Sequence, residues 1–135
     1  MYYPRCGEII VCHYDRVAMG AEMIKSRPVV VIGPRLRRRG NLVGVVPLST
    51  TEPAPVQDYH CRLELAMALP APFDKAVMWA KCDMYGSVAL ERLDRFKVSP
   101  QHRGAPRQWR TGKVSDEQLA ALRAALLHGL GFAQP

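Results

Sequence analysis

Arg27-Pro28-Val29-Val30-Val31-Ile32-Gly33-Pro34 is the stretch from which the rest of the chain is read. Its four consecutive β-branched residues lose rotamer freedom in a helix and pack well on a pleated sheet, and the run is too short for an ordinary helix. It reads as a fully buried strand that Gly33-Pro34 stops. Pro28 biases Arg27 toward an extended backbone, which sets the arginine at the rim where the strand begins.

Working outward, Gly7-Glu8-Ile9-Ile10-Val11-Cys12-His13-Tyr14 reads as the preceding strand, and residues 15–25 as a longer connection containing Gly20. Downstream, Arg35-Leu36-Arg37-Arg38-Arg39-Gly40-Asn41 is a basic hairpin-like loop, and Leu42-Val43-Gly44-Val45-Val46 returns as a core strand. Pro47 suits the end of that strand, where no ladder donor is needed. After a polar, Pro-rich loop over residues 49–55, residues 59–65 alternate apolar and polar as a half-exposed strand does. Val77-Met78-Trp79-Ala80-Lys81-Cys82 is a further strand, and residues 87–93 read equally as strand or short helix. Residues 97–112 carry Pro100, Gly104, Pro106 and several basic residues without periodicity, and are expected to be an exposed loop. Ser115 opens the strongest local signal. Its hydroxyl and Gln118 can form a capping box, Asp116 and Glu117 suit the helix N-terminus, and Leu119, Leu122, Leu126 and Leu130 make an apolar stripe ended by Gly129 and Gly131. The fold class is mainly β with a C-terminal α-helix, a small barrel or sandwich capped by that helix.

The chain has 135 residues, enough for one compact domain with a core, and no internal repeat is visible. Hydrophobic residues make up 48% and charged residues 23%, which argues against a disordered tail, a coiled coil or a collagen-like repeat. No apolar run approaches the roughly 18 residues of a membrane span, and the start of the chain lacks the apolar stretch of a secretory signal, so a cytoplasmic location is expected. With 19 Lys plus Arg against 12 Asp plus Glu, the net charge is +7, which favours a phosphate-bearing polymer as partner, solubility being the competing explanation. Cys6, Cys12, Cys61 and Cys82 include no Cys-x-x-Cys pair, so buried reduced thiols are expected and no metal or cofactor.

Candidate chemistry is sparse. A guanidinium at Arg27 can hold a phosphate bidentately and stabilise charge developing on it; the alternative is a surface arginine beside a strand start. Ser49 and Thr50 can place hydroxyls at the same rim, or simply cap the loop. Lys81 and Asp83 bracket Cys82, and on an extended segment they would share a face as an acid and base pair, or equally as a salt bridge. His13 and His60 receive no role.

In order, Gly7-Glu8-Ile9, Arg27-Pro28-Val29-Val30-Val31, Val46-Pro47-Leu48-Ser49-Thr50-Thr51, Lys81-Cys82-Asp83 and Val114-Ser115-Asp116-Glu117 resemble the MazF/PemK toxins of bacterial type II toxin–antitoxin systems. The resemblance spans nearly the whole chain. It implies an SH3-like small β-barrel of the MazF/PemK/CcdB kind that forms a homodimer, and a metal-independent endoribonuclease cutting single-stranded RNA, often mRNA, at short sequences. It also implies a cognate antitoxin whose C-terminal segment enters the dimer groove. Carried over by position, Arg27 matches the catalytic arginine and Ser49 falls at a catalytic threonine. Asp83 matches an aspartate proposed as base, and Lys81 stands where an arginine acts as acid, a planar fork exchanged for a point charge. Arg35, Arg37, Arg38, Arg39, Thr50 and Glu22 would contact the RNA. Ala21 stands where some relatives have a histidine, and residues 97–112 look like an inserted loop. The rival functions are a non-catalytic binding protein of the same fold, as in gyrase inhibitors, and a degenerate toxin that keeps only the antitoxin contact.

Overall fold

The computed structural model describes residues 1–14, 26–33, 40–100 and 102–132. The central strands are β1 (Glu8–His13), β2 (Ser26–Val31) and β3 (Leu42–Ser49), each antiparallel to the next. Registers Ile9↔Val30 through His13↔Ser26 and Val29↔Pro47 through Val31↔Val45 align their apolar residues. β4 (His60–Glu64) and β5 (Val77–Lys81) extend the sheet on one side and β10 (Gly112–Lys113) on the other, so that it runs β10-β1-β2-β3-β5-β4. The helix α1 (Asp116–Gly129) follows the last strand. Among the described residues the hydrogen-bonded path is open rather than a closed ring. The architecture is the mainly β fold with a C-terminal helix that the sequence predicts.

Alternation along the central strands supplies two cores. Ile9, Val11, Val30, Ile32, Val46 and Leu48 face one way and pack with Leu63, Met78, Leu122 and Ala125. Ile10, Cys12, Val29, Val31 and Val45 face the other way and pack with Leu93. Burial on both faces is why Val29–Ile32 is a continuous apolar run instead of an alternating one. Each fully buried aliphatic side chain contributes about 1.5–3 kcal/mol, so the central strands carry much of the stability.

Three expectations change. Pro47 does not end its strand, because β3 continues to Ser49. β6 (Gly86–Ala89) borders Leu42–Val45 and β5 borders Leu48 and Ser49, so Pro47 falls where the strand changes neighbours and the missing N–H is tolerated. The ambiguous residues 87–93 divide into the end of β6, a 3-10 turn at Leu90–Arg92 and the start of β7 (Leu93–Asp94). Residues 97–112 are not simply a loop. β8 (Phe96–Val98) pairs with β9 (Gln108–Arg110), and β10 (Gly112–Lys113) returns to β1. Each of these strands is too short to show a period, and Trp109 and Val98 supply the β-formers.

The helix begins as expected. Ser115 Oγ accepts from the Gln118 N–H at 3.1 Å, and Gln118 Oε1 accepts from the Ser115 N–H at 2.9 Å. At the other end, Gly131 (φ +78°) donates to the His128 carbonyl and Phe132 to the Leu127 carbonyl, a Schellman closure that requires the left-handed residue. Leu122 and Ala125 are buried and Leu119 and Leu126 pack partly buried beside them; Leu130, expected in the stripe, is 48% exposed because it caps the helix beyond the sheet. Accordingly Leu122→Ala should cost about 2–5 kcal/mol in denaturant unfolding. Leu130→Ala should cost under about 0.5 kcal/mol; equal losses would refute this placement of the helix.

Candidate functional site

The register of β2 and β3 brings Arg27 level with Ser49, two positions beyond the Val29↔Pro47 pair. Parity puts both side chains on the face of Val29, Val31 and Val45. Ser49 is paired in turn with Trp79 of β5, which is buried, so Arg27, Ser49 and Trp79 form one row across three strands. Arg27 and Ser49 are half-buried, and Thr50 beside them is exposed. Ser49 Oγ accepts from the Thr51 N–H at 3.1 Å, so the hydroxyl also turns the chain into the loop.

Cys12 pairs with Arg27 on the opposite edge of β2, and Tyr14 follows two residues later on the same face. Tyr14 donates a hydrogen bond to Cys12 and lies within the field of the Arg27 guanidinium. Burial, and then the Cys12 sulfur, push the Tyr14 phenol up to about 12, while the arginine acts weakly in the other direction. Burial likewise pushes Cys12 to about 11. The side of Arg27 away from Ser49 is thus lined by two groups that stay neutral in the physiological range. Sequence reasoning passed over Tyr14 and Trp79; period two from Cys12 marks Tyr14, but only once the β1–β2 register is known.

Lys81 ends β5 two residues beyond Trp79, on the same face and about 7 Å along the strand. Asp83 does not share that extended segment. The chain bends at Lys81 (φ −99°, ψ 84°) into a 3-10 turn at Cys82–Met84, which removes the alternation that would have set the two side chains side by side. Lys81 and Asp83 form no ion pair with each other among the described residues. The turn is held against the end of α1. A Cβ on Gly129 would lie 2.9 Å from the Cys82 carbonyl oxygen, so only glycine permits this approach. The structure therefore sets Arg27, Ser49 and Lys81 on one face, and carries exposed Thr50 in the loop after β3 and exposed Asp83 on a separate turn. Glu22, Arg35, Arg37, Arg38 and Arg39 lie outside the described residues, as does Ala21.

Clefts of about 430 and 460 Å³ open around Tyr3, Arg5 and Cys6, and neither is lined by Arg27. Arg27 and Ser49 stand half-buried at the end of the face that carries the second core. Cys12, Cys61 and Cys82 are buried, and Cys6 is partly exposed; no group of three or more metal-ligating side chains occurs among the described residues.

Residues 5–130 match the family described as PemK-like, MazF-like toxin of type II toxin–antitoxin system. The protein YifN of Escherichia coli (strain K12) is 30% identical over 115 residues, covering 72% of this chain and 76% of YifN. Among solved structures, an endoribonuclease in complex with its cognate antitoxin from a mycobacterial species superposes with a TM-score of 0.65 at 16% identity, covering 98% of this chain and all of that one. Mycobacterium tuberculosis toxin MazF-mt6 gives 0.62 at 18% identity, covering 93% of this chain and 98% of that one. A MazE-MazF structure from Deinococcus radiodurans gives 0.57 at 19% identity, covering 98% of this chain and all of that one.

The pair beside Arg27 sets an alkaline limit on stability. Both groups bind their protons more tightly folded than unfolded, so stability is whole below about pH 9 and falls as pH rises through about 11 for Cys12 and 12 for Tyr14. Tyr14→Phe should therefore shallow the decline between about pH 10 and 12. An unaltered slope would place the Tyr14 phenol in water.

Proposed function

The chain belongs to the PemK-like, MazF-like toxin family of type II toxin–antitoxin systems, and on that premise we propose that it is an endoribonuclease acting on single-stranded RNA, mRNA included. The observation that carries the proposal is the row in which Arg27 and Ser49 stand level, half-exposed, on one face of a basic protein. The nucleophile belongs to the substrate. The RNA 2′-oxygen bonds to the adjacent phosphorus, the bond to the 5′-oxygen breaks, and the products are a 2′,3′-cyclic phosphate and a 5′-hydroxyl. The protein must then supply positive charge for the phosphorane, a proton acceptor for the 2′-hydroxyl and a proton donor for the leaving oxygen.

In this reading Arg27 stabilises the phosphorane and Ser49 positions the phosphate. Lys81, on the same face, protonates the leaving oxygen, and Asp83 on the adjoining turn takes the 2′-hydroxyl proton. Thr50, Glu22 and the Arg35, Arg37, Arg38 and Arg39 cluster contact the RNA on either side. The protein acts as a homodimer in the cytoplasm, and a cognate antitoxin holds it inactive. One observation favours a second reading, a family member that keeps the fold and the antitoxin contact without cleaving: Asp83 stands off the row and makes no ion pair with Lys81.

Incubating the protein with a long single-stranded RNA in EDTA separates the readings. Cleavage should persist, leave a cyclic phosphate, and fall about 10²-fold or more in Arg27→Ala. Antitoxin binding without cleavage would establish the second reading, and equal cleavage by the variant would remove Arg27 from the chemistry.

A further inference from the structure

The hairpin made by residues 96–110 is rooted on the edge of β1. β7 pairs with Val11 and Cys12, the chain runs out through β8 and back through β9, and β10 pairs with Glu8 and Ile9. At its base cations and rings interleave. The Arg95 guanidinium carbon lies 5.2 Å from the Tyr2 ring centre and 5.1 Å from that of Trp109, and the Lys97 ammonium lies 5.4 Å from the Trp109 ring centre. Tyr2 is itself anchored by its hydroxyl, which donates to Glu8 at 2.5 Å.

Parity places this stack on the same side of the sheet as Arg27. Leu93 faces the core of Cys12 and Val29, and Phe96 faces the opposite core, so Arg95 and Lys97 project with Leu93, and Trp109 is the cross-strand partner of Lys97. Arg110 projects to the other side, where it donates to the Ala68 carbonyl at 3.1 Å. Leu93 pairs with Cys12, and Cys12 with Arg27. Two strand spacings and one two-residue step therefore separate Arg95 from Arg27, about 12 Å between Cα atoms.

We propose that Trp109, flanked by Arg95 and Lys97, is a stacking site for a nucleobase of single-stranded RNA that lies across Arg27. The proposal rests on RNA being the substrate. An acidic peptide would satisfy the cations but has no flat face for the indole, whereas a single strand offers rings and phosphates in alternation, as the protein does. Arg95 is fixed between two rings. Lys97 is exposed on a flexible stem, so a base can take its place against the indole while its ammonium moves to a phosphate. The basic residues of this stretch are then the electrostatic part of an extended footprint.

The test uses the full chain and a 20-nucleotide single-stranded RNA methylated at every 2′-oxygen, which binds without being cut. The protein has two tryptophans, and Trp79 is buried, so Trp109→Phe leaves a reference emission. RNA should quench the native protein more than Trp109→Phe. Trp109→Ala should weaken binding on the order of tenfold, Trp109→Phe should retain most of it, and Lys97→Gln should lower the salt slope by about one phosphate contact. Cleavage of a dinucleotide, whose single phosphate at Arg27 leaves no base to reach an indole about 12 Å away, should be unchanged in all three. Equal quenching in the native protein and Trp109→Phe, or full affinity in Trp109→Ala with cleavage intact, overturns the stacking site and leaves the nuclease reading standing. Failure of the native protein to bind or cut RNA overturns both. Quenching by a 20-residue polyglutamate but not by RNA would make the surface a peptide site instead.

Discussion

The pairing of β1 with β2 is the constraint on which the other features depend. Its five registered pairs set Ile9 and Val11 toward the helix and Ile10 and Cys12 toward the second core, and the same alternation continues through β3. Because both faces are filled, a slip by one residue would exchange two complete sets of side chains. It would also carry Arg27 to the helix side, away from Ser49 and Tyr14. Packing thus specifies the geometry of the candidate site: the arginine stands where the buried run begins, and hydrophobic burial holds its strand in place.

The second fixed point is the junction of β5 with α1. Cys82 packs into the main core and its N–H donates to the Tyr59 carbonyl, while Gly129 lets the helix end approach the turn closely. Asp83 is therefore held by the helix end as much as by the sheet. Arg27 and Ser49 belong to the sheet alone. The proposed acid–base pair straddles two bodies, and any motion of the helix end would alter Asp83 relative to Arg27 without disturbing the row itself.

Much of this was legible in the sequence, for physical reasons that differ by element. The Val29–Ile32 run and the Ser115 capping box are local signals, and each appears where expected. The Arg27 and Ser49 candidates were found through ordered motifs; that they stand level follows from a register that no local pattern encodes. Lys81 and Asp83 illustrate the reverse. Spacing of two implies a shared face only while the backbone stays extended, and the turn at Cys82–Met84 ends that condition. The hairpin at residues 96–110 was hidden because its strands are three residues each, shorter than any period can reveal. Leu130 continues the stripe in sequence but lies past the point where the helix leaves the sheet.

A sheet whose path stays open among the described residues must do something with its margins, since an exposed row of amides and carbonyls invites pairing with another molecule. On one side β7 and β10 lie along β1, and the hairpin between them folds outward. On the other, β4 carries Arg62 and Glu64 outward, joined at 3.6 Å. Charge on the short terminal strand β4 and short strands covering the other margin are devices that resist edge-to-edge pairing of sheets. Loss of β7 and β10, the two short strands that the hairpin joins, would uncover the margin of β1, and the first consequence would be aggregation of the folded protein before any change in its chemistry.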